Sequence, residues 1–159
     1  GRSLSVESVY NYLEWLEKAF VIYRCQRYDM QGKSVLKTQE KFYLADASLK
    51  YCIMGFNPKS VAAMLENIVY FELRRKGYNV YIGKNAAKEI DFVAVRRDER
   101  IYVQVCRNLP EESDREIANL LQVNDNYPKY VVTLDELAGG NINGVRIVHL
   151  ADFLLARQW

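Results

Sequence analysis

The sequence predicts an α/β protein in which helices flank a mixed sheet, preceded by a smaller helix-and-hairpin unit. Helical and strand patterns follow one another along the chain, which is typical of this class. Of the 159 residues, 50% are hydrophobic and 26% are charged, a balance that indicates a packed core and argues against disorder. The net charge of +2 neither requires nor excludes a nucleic-acid partner.

Cysteine, histidine and apolar patterns exclude several other classes of protein. Cys25, Cys52 and Cys106 are odd in number and far apart, so neither a disulfide framework nor a zinc site is predicted. His149 lies within an apolar run, where a structural role is expected. No apolar stretch approaches the roughly 20 residues of a membrane span, which predicts a cytoplasmic protein without a membrane partner. The leading Gly1 indicates a piece excised from a larger chain.

The first unit, which we assign to residues 1–57, begins with an amphipathic helix. Ser5 is the expected N-cap, and apolar residues recur on one helical face at spacings of three and four. The run 21–28 is rich in β-formers, and a turn at 31–33 leads to a returning strand at 41–44. The unit therefore reads as a helix followed by a two-stranded ribbon.

The segment from Ser5 to Leu16 resembles the third helix of a bacterial winged-helix domain, of the form S-x-x-T-V-x-x-Y-L-x-x-L. The resemblance implies a partial winged helix, and in its DNA-binding form Ser8, Asn11 and Tyr12 would face a groove. The alternative is a spacer or an oligomer contact. The acidic residues of this helix favour that alternative, because they match a phosphate backbone poorly.

The break at 55–59 separates this unit from a second one, residues 58–159. There the patterns predict the order α-β-β-β-α-β-β-α, with a Gly77 C′ residue closing the first helix. The predicted elements are a helix at 61–76, strands at 78–82, 89–95 and 101–106, a helix at 111–123, strands at 130–134 and 145–150, and a short helix at 151–156.

Strand alternation predicts which polar residues of the second unit meet. If Ile90 and Phe92 share the apolar face of their strand, Asp91 lies on the opposite face. Pairing with the next strand then places Asp91 beside Gln104 and Cys106. Adding Glu66 from the first helix gives oxygen ligands of the kind that hold Mg²⁺ or Mn²⁺, namely Glu66, Asp91 and Gln104.

These residues resemble the motif of the PD-(D/E)XK nuclease superfamily, which implies a restriction-endonuclease-like fold. Glu66 takes the place of the helix acid, Asp91 that of the strand aspartate, Gln104 that of the second acid and Cys106 that of the lysine. The patterns E-N-x-V-x-x-E-L, E-I-D-F-V and Y-P-K-Y-V-V-T-L-D are similar to a narrower group. That group is the domain of unknown function that follows a winged helix at the C-terminus of bacterial and archaeal AAA+ ATPases.

The departures from the motif predict weakened chemistry. Gln104 removes a negative charge from the metal site, and Cys106 supplies no cation near neutral pH. Losing the electrostatic role of the lysine typically costs on the order of a hundredfold in rate. Lys84, Lys88 and Arg107 are the predicted replacements for that cation, and we group them with Arg74 and Arg75 as candidate nucleic-acid contacts.

The leading prediction is a non-catalytic, nuclease-like C-terminal region of an AAA+ ATPase that recognises DNA or a protein partner. One alternative is an active Mg²⁺- or Mn²⁺-dependent endonuclease with a migrated lysine, and another is a protein-interaction module. The resemblance implies that ATP binds only in an upstream ATPase domain of the same chain, since no P-loop pattern occurs here.

Overall fold

The computed structural model describes residues 4–86, 88–109, 114–137 and 139–157, leaving out the side chains of 37, 38 and 114–116. Its elements, in chain order, are α1 Val6–Lys18, β1 Ile22–Asp29, β2 Ser34–Leu44, α2 Ser48–Met54, a short 3₁₀ turn Pro58–Ser60, α3 Val61–Arg75, β3 Asn79–Asn85, β4 Lys88–Arg96, β5 Glu99–Cys106, α4 Asp114–Leu121, β6 Lys129–Thr133, β7 Gly140–Ile142, β8 Val145–His149 and α5 Leu150–Leu155.

Across the described residues the strands form one eight-stranded sheet in the order β2-β1-β3-β4-β5-β6-β8-β7. The β1–β2, β3–β4, β4–β5 and β7–β8 pairs are antiparallel, whereas β1–β3, β5–β6 and β6–β8 are parallel. Helices cover both faces. The predicted α/β class with a mixed sheet flanked by helices is therefore confirmed.

Side-chain alternation along the central strands divides the core into two clusters. In β5, Ile101, Val103 and Val105 pack into the first cluster, together with apolar residues of α3 and α5. Tyr102 points the other way, into the second cluster beneath α4. We call the side of the first cluster the α3 face of the sheet and the side of the second cluster the α4 face.

Helix α3 follows the sequence pattern closely. Leu65, Val69 and Leu73 lie one turn apart and are buried against the sheet, with Val69 and Leu73 fully inaccessible. The helix ends at its cap Lys76, and Gly77 then adopts a φ of +84°, the left-handed conformation that favours glycine. The predicted C′ role of Gly77 is confirmed.

Helix α1 begins as predicted, but its apolar face is open. The Ser5 side chain accepts a hydrogen bond from the Ser8 backbone N–H at 3.1 Å, which confirms the predicted N-cap. No residue of α1 is buried. Asn11 is exposed, and Tyr12 packs edge-on against Trp15 with ring centroids 5.5 Å apart.

The hairpin of the first unit belongs to the same sheet as the second unit. β1 pairs in parallel with β3, with Arg27, Tyr28 and Asp29 opposite residues 82–84. The sheet therefore crosses the boundary predicted between residues 57 and 58, and this boundary remains a prediction about domain organisation.

The expectation that side chains alternate strictly between the two faces along β4 was wrong. Ile90 packs into the second cluster and Phe92 into the first, so they lie on opposite faces. The cause is a bulge opposite β3, where the register passes from Tyr81↔Val93 to Gly83↔Ile90 and gives β4 one extra residue.

Two other predicted elements differ from the structure. A short exposed strand, β7, pairs with β8 in a region where no strand was predicted. The helix predicted over 111–123 is described from Asp114 onward, and residues 111–113 lie outside the described ranges.

Candidate functional site

A lysine of the hairpin lies between two carboxylates of the second unit. Lys41, in β2, places its Nζ atom 2.6 Å from Oε1 of Glu89 and 3.4 Å from Oε2 of Glu66. Glu89 comes from β4 and Glu66 from α3, so the ion pairs join three elements. All three side chains are partly buried, between 24% and 34% exposed.

Arg27 of β1 completes this cluster. Its Nη1 donates to Oε2 of Glu89 at 2.6 Å, and its Nε donates to the carbonyl oxygen of Gln39 at 2.6 Å. Both oxygens of Glu89 therefore contact a cation. We call Arg27, Lys41, Glu66 and Glu89 the lysine-bridged cluster.

An irregularity in the hairpin brings Lys41 to this position. The register passes from Cys25↔Lys41 to Arg27↔Leu36, so β2 advances five residues while β1 advances two. The extra residues bow out of the ladder, and Gln39 within them has a φ of +59°. The bond from Arg27 to the Gln39 carbonyl ties this bow to the sheet.

The electrostatics keep the cluster charged. Burial by itself lowers the pKa of Lys41, but its hydrogen bond to Glu89 and the charges of Glu66, Glu89 and Asp91 outweigh burial and raise it. Burial by itself raises the pKa of Glu89, but Lys41 and then Arg27 outweigh it and lower that pKa. Lys41 and Glu89 are therefore both charged at neutral pH.

Asp91 and Gln104 meet beside this cluster, in the gap between β4 and β5. The regular pairing of the two strands extends to Phe92↔Val103. Beyond it, the backbone N–H of Asp91 donates to Oε1 of Gln104 at 3.3 Å, and Asp91 Oδ2 accepts from the Val105 N–H at 2.8 Å. Asp91 and Gln104 are each 7% exposed.

Cys106 lies on the opposite side of the sheet from helix α3. It packs against the second cluster, on the α4 face, whereas Glu66 projects from α3 on the other side of the sheet. The charge of Asp91 acts on Lys41 and Tyr43, the latter a residue of the first cluster. The bulge in β4 places Ile90 and Phe92 on opposite faces, so the alternation from which the position of Asp91 was predicted does not hold there.

The other predicted cations form no ion pair with these acids among the described residues. Lys84, Lys88 and Arg107 are exposed, and none forms an ion pair within the part of the chain that the structure describes. Lys41, which was not among the predicted cations, is the lysine that contacts Glu66. Its sequence neighbourhood offers no signal, because it reads as an ordinary strand residue in a hairpin remote from the motif.

The two arginines of α3 are occupied within their own helix. Arg75 forms two 2.8 Å hydrogen bonds to the carboxylate of Glu72. Arg74 lies over the ring of Tyr70 and donates to its hydroxyl at 3.4 Å. Arg74 and Arg75 are both exposed and remain accessible to a ligand.

The predicted ligands do not fit a divalent cation in this arrangement. Glu66 pairs with Lys41, Gln104 uses its oxygen on the Asp91 backbone, and one Asp91 oxygen is bonded to a backbone amide. Within the described residues, no group of three His, Cys, Asp or Glu side chains is arranged to hold a metal ion.

A pocket of about 380 Å³ opens beside the cluster, lined by Lys41, Tyr43, Lys50 and Glu66 among others. Tyr43 is 5% exposed, and its ring stacks on that of Tyr70 with centroids 4.3 Å apart. Its hydroxyl is a buried polar group without a hydrogen-bond partner among the described residues.

Comparison with known proteins places this chain beside proteins of undetermined role. Residues 1–60 match the family described as "Domain of unknown function (DUF8612)", and this match ends close to the predicted boundary at 57–58. An uncharacterized protein of Haemophilus influenzae is 40% identical over 151 residues, or 95% of this chain. An uncharacterized protein of Methanocaldococcus jannaschii is 31% identical over 119 residues, or 72% of this chain.

The chain spans 38% of the length of the first relative and 26% of the second. No solved structure matches the sequence. Among the described residues, no helix has both the length and the apolar character needed to cross a membrane.

Proposed function

We propose that this chain is the nuclease-like region of a bacterial or archaeal AAA+ ATPase and that it recognises DNA without cutting it. In this proposal the chain acts in the cytoplasm, and ATP is bound by an upstream part of the same protein. The order of elements, the Glu66 and Asp91 positions and the much greater length of both relatives support the placement.

One observation carries the non-catalytic part of the proposal, namely the ammonium of Lys41 between Glu66 and Glu89. Acids at a nuclease site are costly to bury unless a cation balances them. Here the ammonium of Lys41 balances the charge of these acids, and a divalent ion is not needed for charge balance. Gln104 lowers the negative charge further.

DNA is the favoured partner because exposed lysines at the rim of this region pair with no acid among the described residues. Lys84 and Lys88 are exposed at one end of the β3–β4 hairpin, the end that also carries Glu89. Exposed lysines bind phosphates as point charges and release counterions, so such binding weakens as salt rises.

The test measures binding and cleavage together. Fluorescence anisotropy with labelled single-stranded, duplex and branched DNA, in the presence of Mn²⁺, is expected to show salt-dependent binding and intact DNA. Reversing the charge of Lys88 (Lys88→Glu) is expected to weaken binding about tenfold, consistent with the loss of a phosphate contact. Arg97→Glu is the matched control, because Arg97 is exposed at the opposite end of β4.

A second candidate, a metal-dependent endonuclease, is favoured by the same lysine acting as the migrated catalytic cation. Mn²⁺-dependent cleavage that disappears in both Asp91→Asn and Lys41→Met would establish it and overturn the non-catalytic proposal. Absence of DNA binding even at low salt would overturn DNA recognition. It would favour a protein-interaction module, for which the open apolar face of α1 is the available surface.

A further inference from the structure

The hydroxyl of Tyr43 is an exception to the rule that buried polar groups find partners. Tyr43 is 5% exposed, and its hydroxyl forms no hydrogen bond with any described residue. An unsatisfied buried hydroxyl destabilises a fold, so such a group calls for an explanation. Its stacking partner Tyr70 offers a direct contrast, because the Tyr70 hydroxyl accepts a hydrogen bond from Arg74.

Tyr43 is part of the wall of the 380 Å³ pocket. Tyr43 lines this pocket together with Lys41, Lys50 and Glu66. Burial and, among the charges, first that of Glu66 raise the pKa of Tyr43 far above its usual range. The charge of Glu66, a residue that lines the pocket, therefore acts on this hydroxyl.

The charges of the pocket wall favour an anion. Lys41 and Lys50 contribute two positive charges, and Glu66 contributes one negative charge that Lys41 already balances. Lys50 forms no ion pair within the described ranges, so its ammonium is available. A cation would be repelled by both lysines, whereas an oxyanion would be attracted by them.

We propose that Tyr43, Lys41 and Lys50 form a phosphate-binding subsite. This inference rests on the proposed DNA recognition, and it names the chemical group that the region binds. The ligand is a phosphate oxyanion, supplied either by the backbone of DNA or by free inorganic phosphate. In this arrangement Tyr43 and Lys50 donate directly, while Lys41 holds Glu66 away from the anion.

The deciding variant is Tyr43→Phe, which removes one oxygen atom and keeps the stacked ring. It is expected to weaken duplex DNA binding about tenfold, the usual effect of losing a hydrogen bond to a charged acceptor. Tyr70→Phe is the matched control and is expected to change binding less than about twofold, because its hydroxyl already has a partner. Tyr43→Phe should unfold at the same temperature as the unaltered chain or a higher one, which excludes a folding defect.

Isothermal titration with inorganic phosphate separates the two sources of the ligand. If the unaltered chain binds DNA and Tyr43→Phe binds it equally well, the subsite is overturned while the proposed function stands. If the chain binds no DNA but binds phosphate, and Tyr43→Phe weakens phosphate binding, the proposed function fails and the subsite stands. If neither ligand binds, both ideas are overturned.

Discussion

Replacing Lys41 with methionine keeps the length of the side chain and removes the ammonium that pairs with both Glu66 and Glu89. At an effective dielectric constant of about 20, charges at separations of 2.6 and 3.4 Å attract by about 6 and 5 kcal/mol. Desolvation offsets most of this attraction. The two glutamates are 24% and 34% exposed, so these ion pairs are intermediate between surface pairs and buried pairs. A surface pair contributes at most about 1 kcal/mol, whereas disrupting a buried pair costs about 3–5 kcal/mol.

We therefore expect Lys41→Met to lower the free energy of unfolding by about 2 kcal/mol. For a chain of this size, that loss corresponds to a fall of about 4–8 °C in the melting temperature. The assay is differential scanning calorimetry or thermal unfolding followed by circular dichroism. Lys50→Met is the matched control and should cost less than about 0.5 kcal/mol, because no ion pair is lost.

The pH dependence identifies the cause. The pKa of Glu89 is lowered in the folded protein, so its stabilisation is present above the ordinary value of 4.5 and is lost as the pH falls through the lowered pKa. The pKa of Lys41 is raised, so its stabilisation is present below 10.5 and is lost as the pH rises through the raised value. The difference in melting temperature should shrink on acidification below pH 4.5. An equal difference at pH 7 and at about pH 3 would refute the charge-pair reasoning.

Three further substitutions test the packing around the site by urea denaturation. Leu73→Ala, in the fully buried face of α3, should cost about 2–5 kcal/mol because it leaves a cavity. Gly83→Ala should cost about 1–3 kcal/mol, since its new Cβ would lie 2.8 Å from a methyl carbon of Val93. Asn67→Ala should cost about 1–3 kcal/mol, because the Asn67 amide bonds both the N–H and the C=O of Leu44 and so joins α3 to β2.

Matched exposed substitutions are the controls for Leu73→Ala and Gly83→Ala. Leu137→Ala removes a side chain that is 98% exposed and should change the free energy of unfolding by less than about 0.5 kcal/mol. Gly139→Ala adds a Cβ that meets no atom within 4 Å and should be similarly mild. A cost for Leu73→Ala or Gly83→Ala no larger than that of its control would contradict the packing described here.

Local signals were enough to predict most of the fold. Ser5 caps α1 and Gly77 ends α3 because each of these positions depends on the chemistry of a single residue. The apolar spacing of α3 likewise follows from its own sequence. These features need no knowledge of what lies elsewhere in the chain.

The site depended on long-range contacts that the local sequence does not encode. The bulge that places Ile90 and Phe92 on opposite faces arises in the pairing of β3 with β4. The sequence of β4 alone contains no signal that predicts it. Lys41 reaches Glu66 only because a bow in β2 and the parallel pairing of β1 with β3 carry it there. Lys41 is therefore not predictable from the residues near the motif, where Lys84 and Lys88 are the cations that the sequence offers.

The parallel pairing of β1 with β3 has a consequence for how this protein can change over evolutionary time. The family match ends at residue 60, yet Arg27 contacts Glu89 and Lys41 contacts Glu66 across that point. Exchanging residues 1–60 for an unrelated module would remove β1, the strand that pairs with β3. It would also leave Glu66 and Glu89 without their counterions. The two segments are therefore expected to be inherited together, and substitutions of Lys41 are expected to accompany substitutions of Glu66 or Glu89.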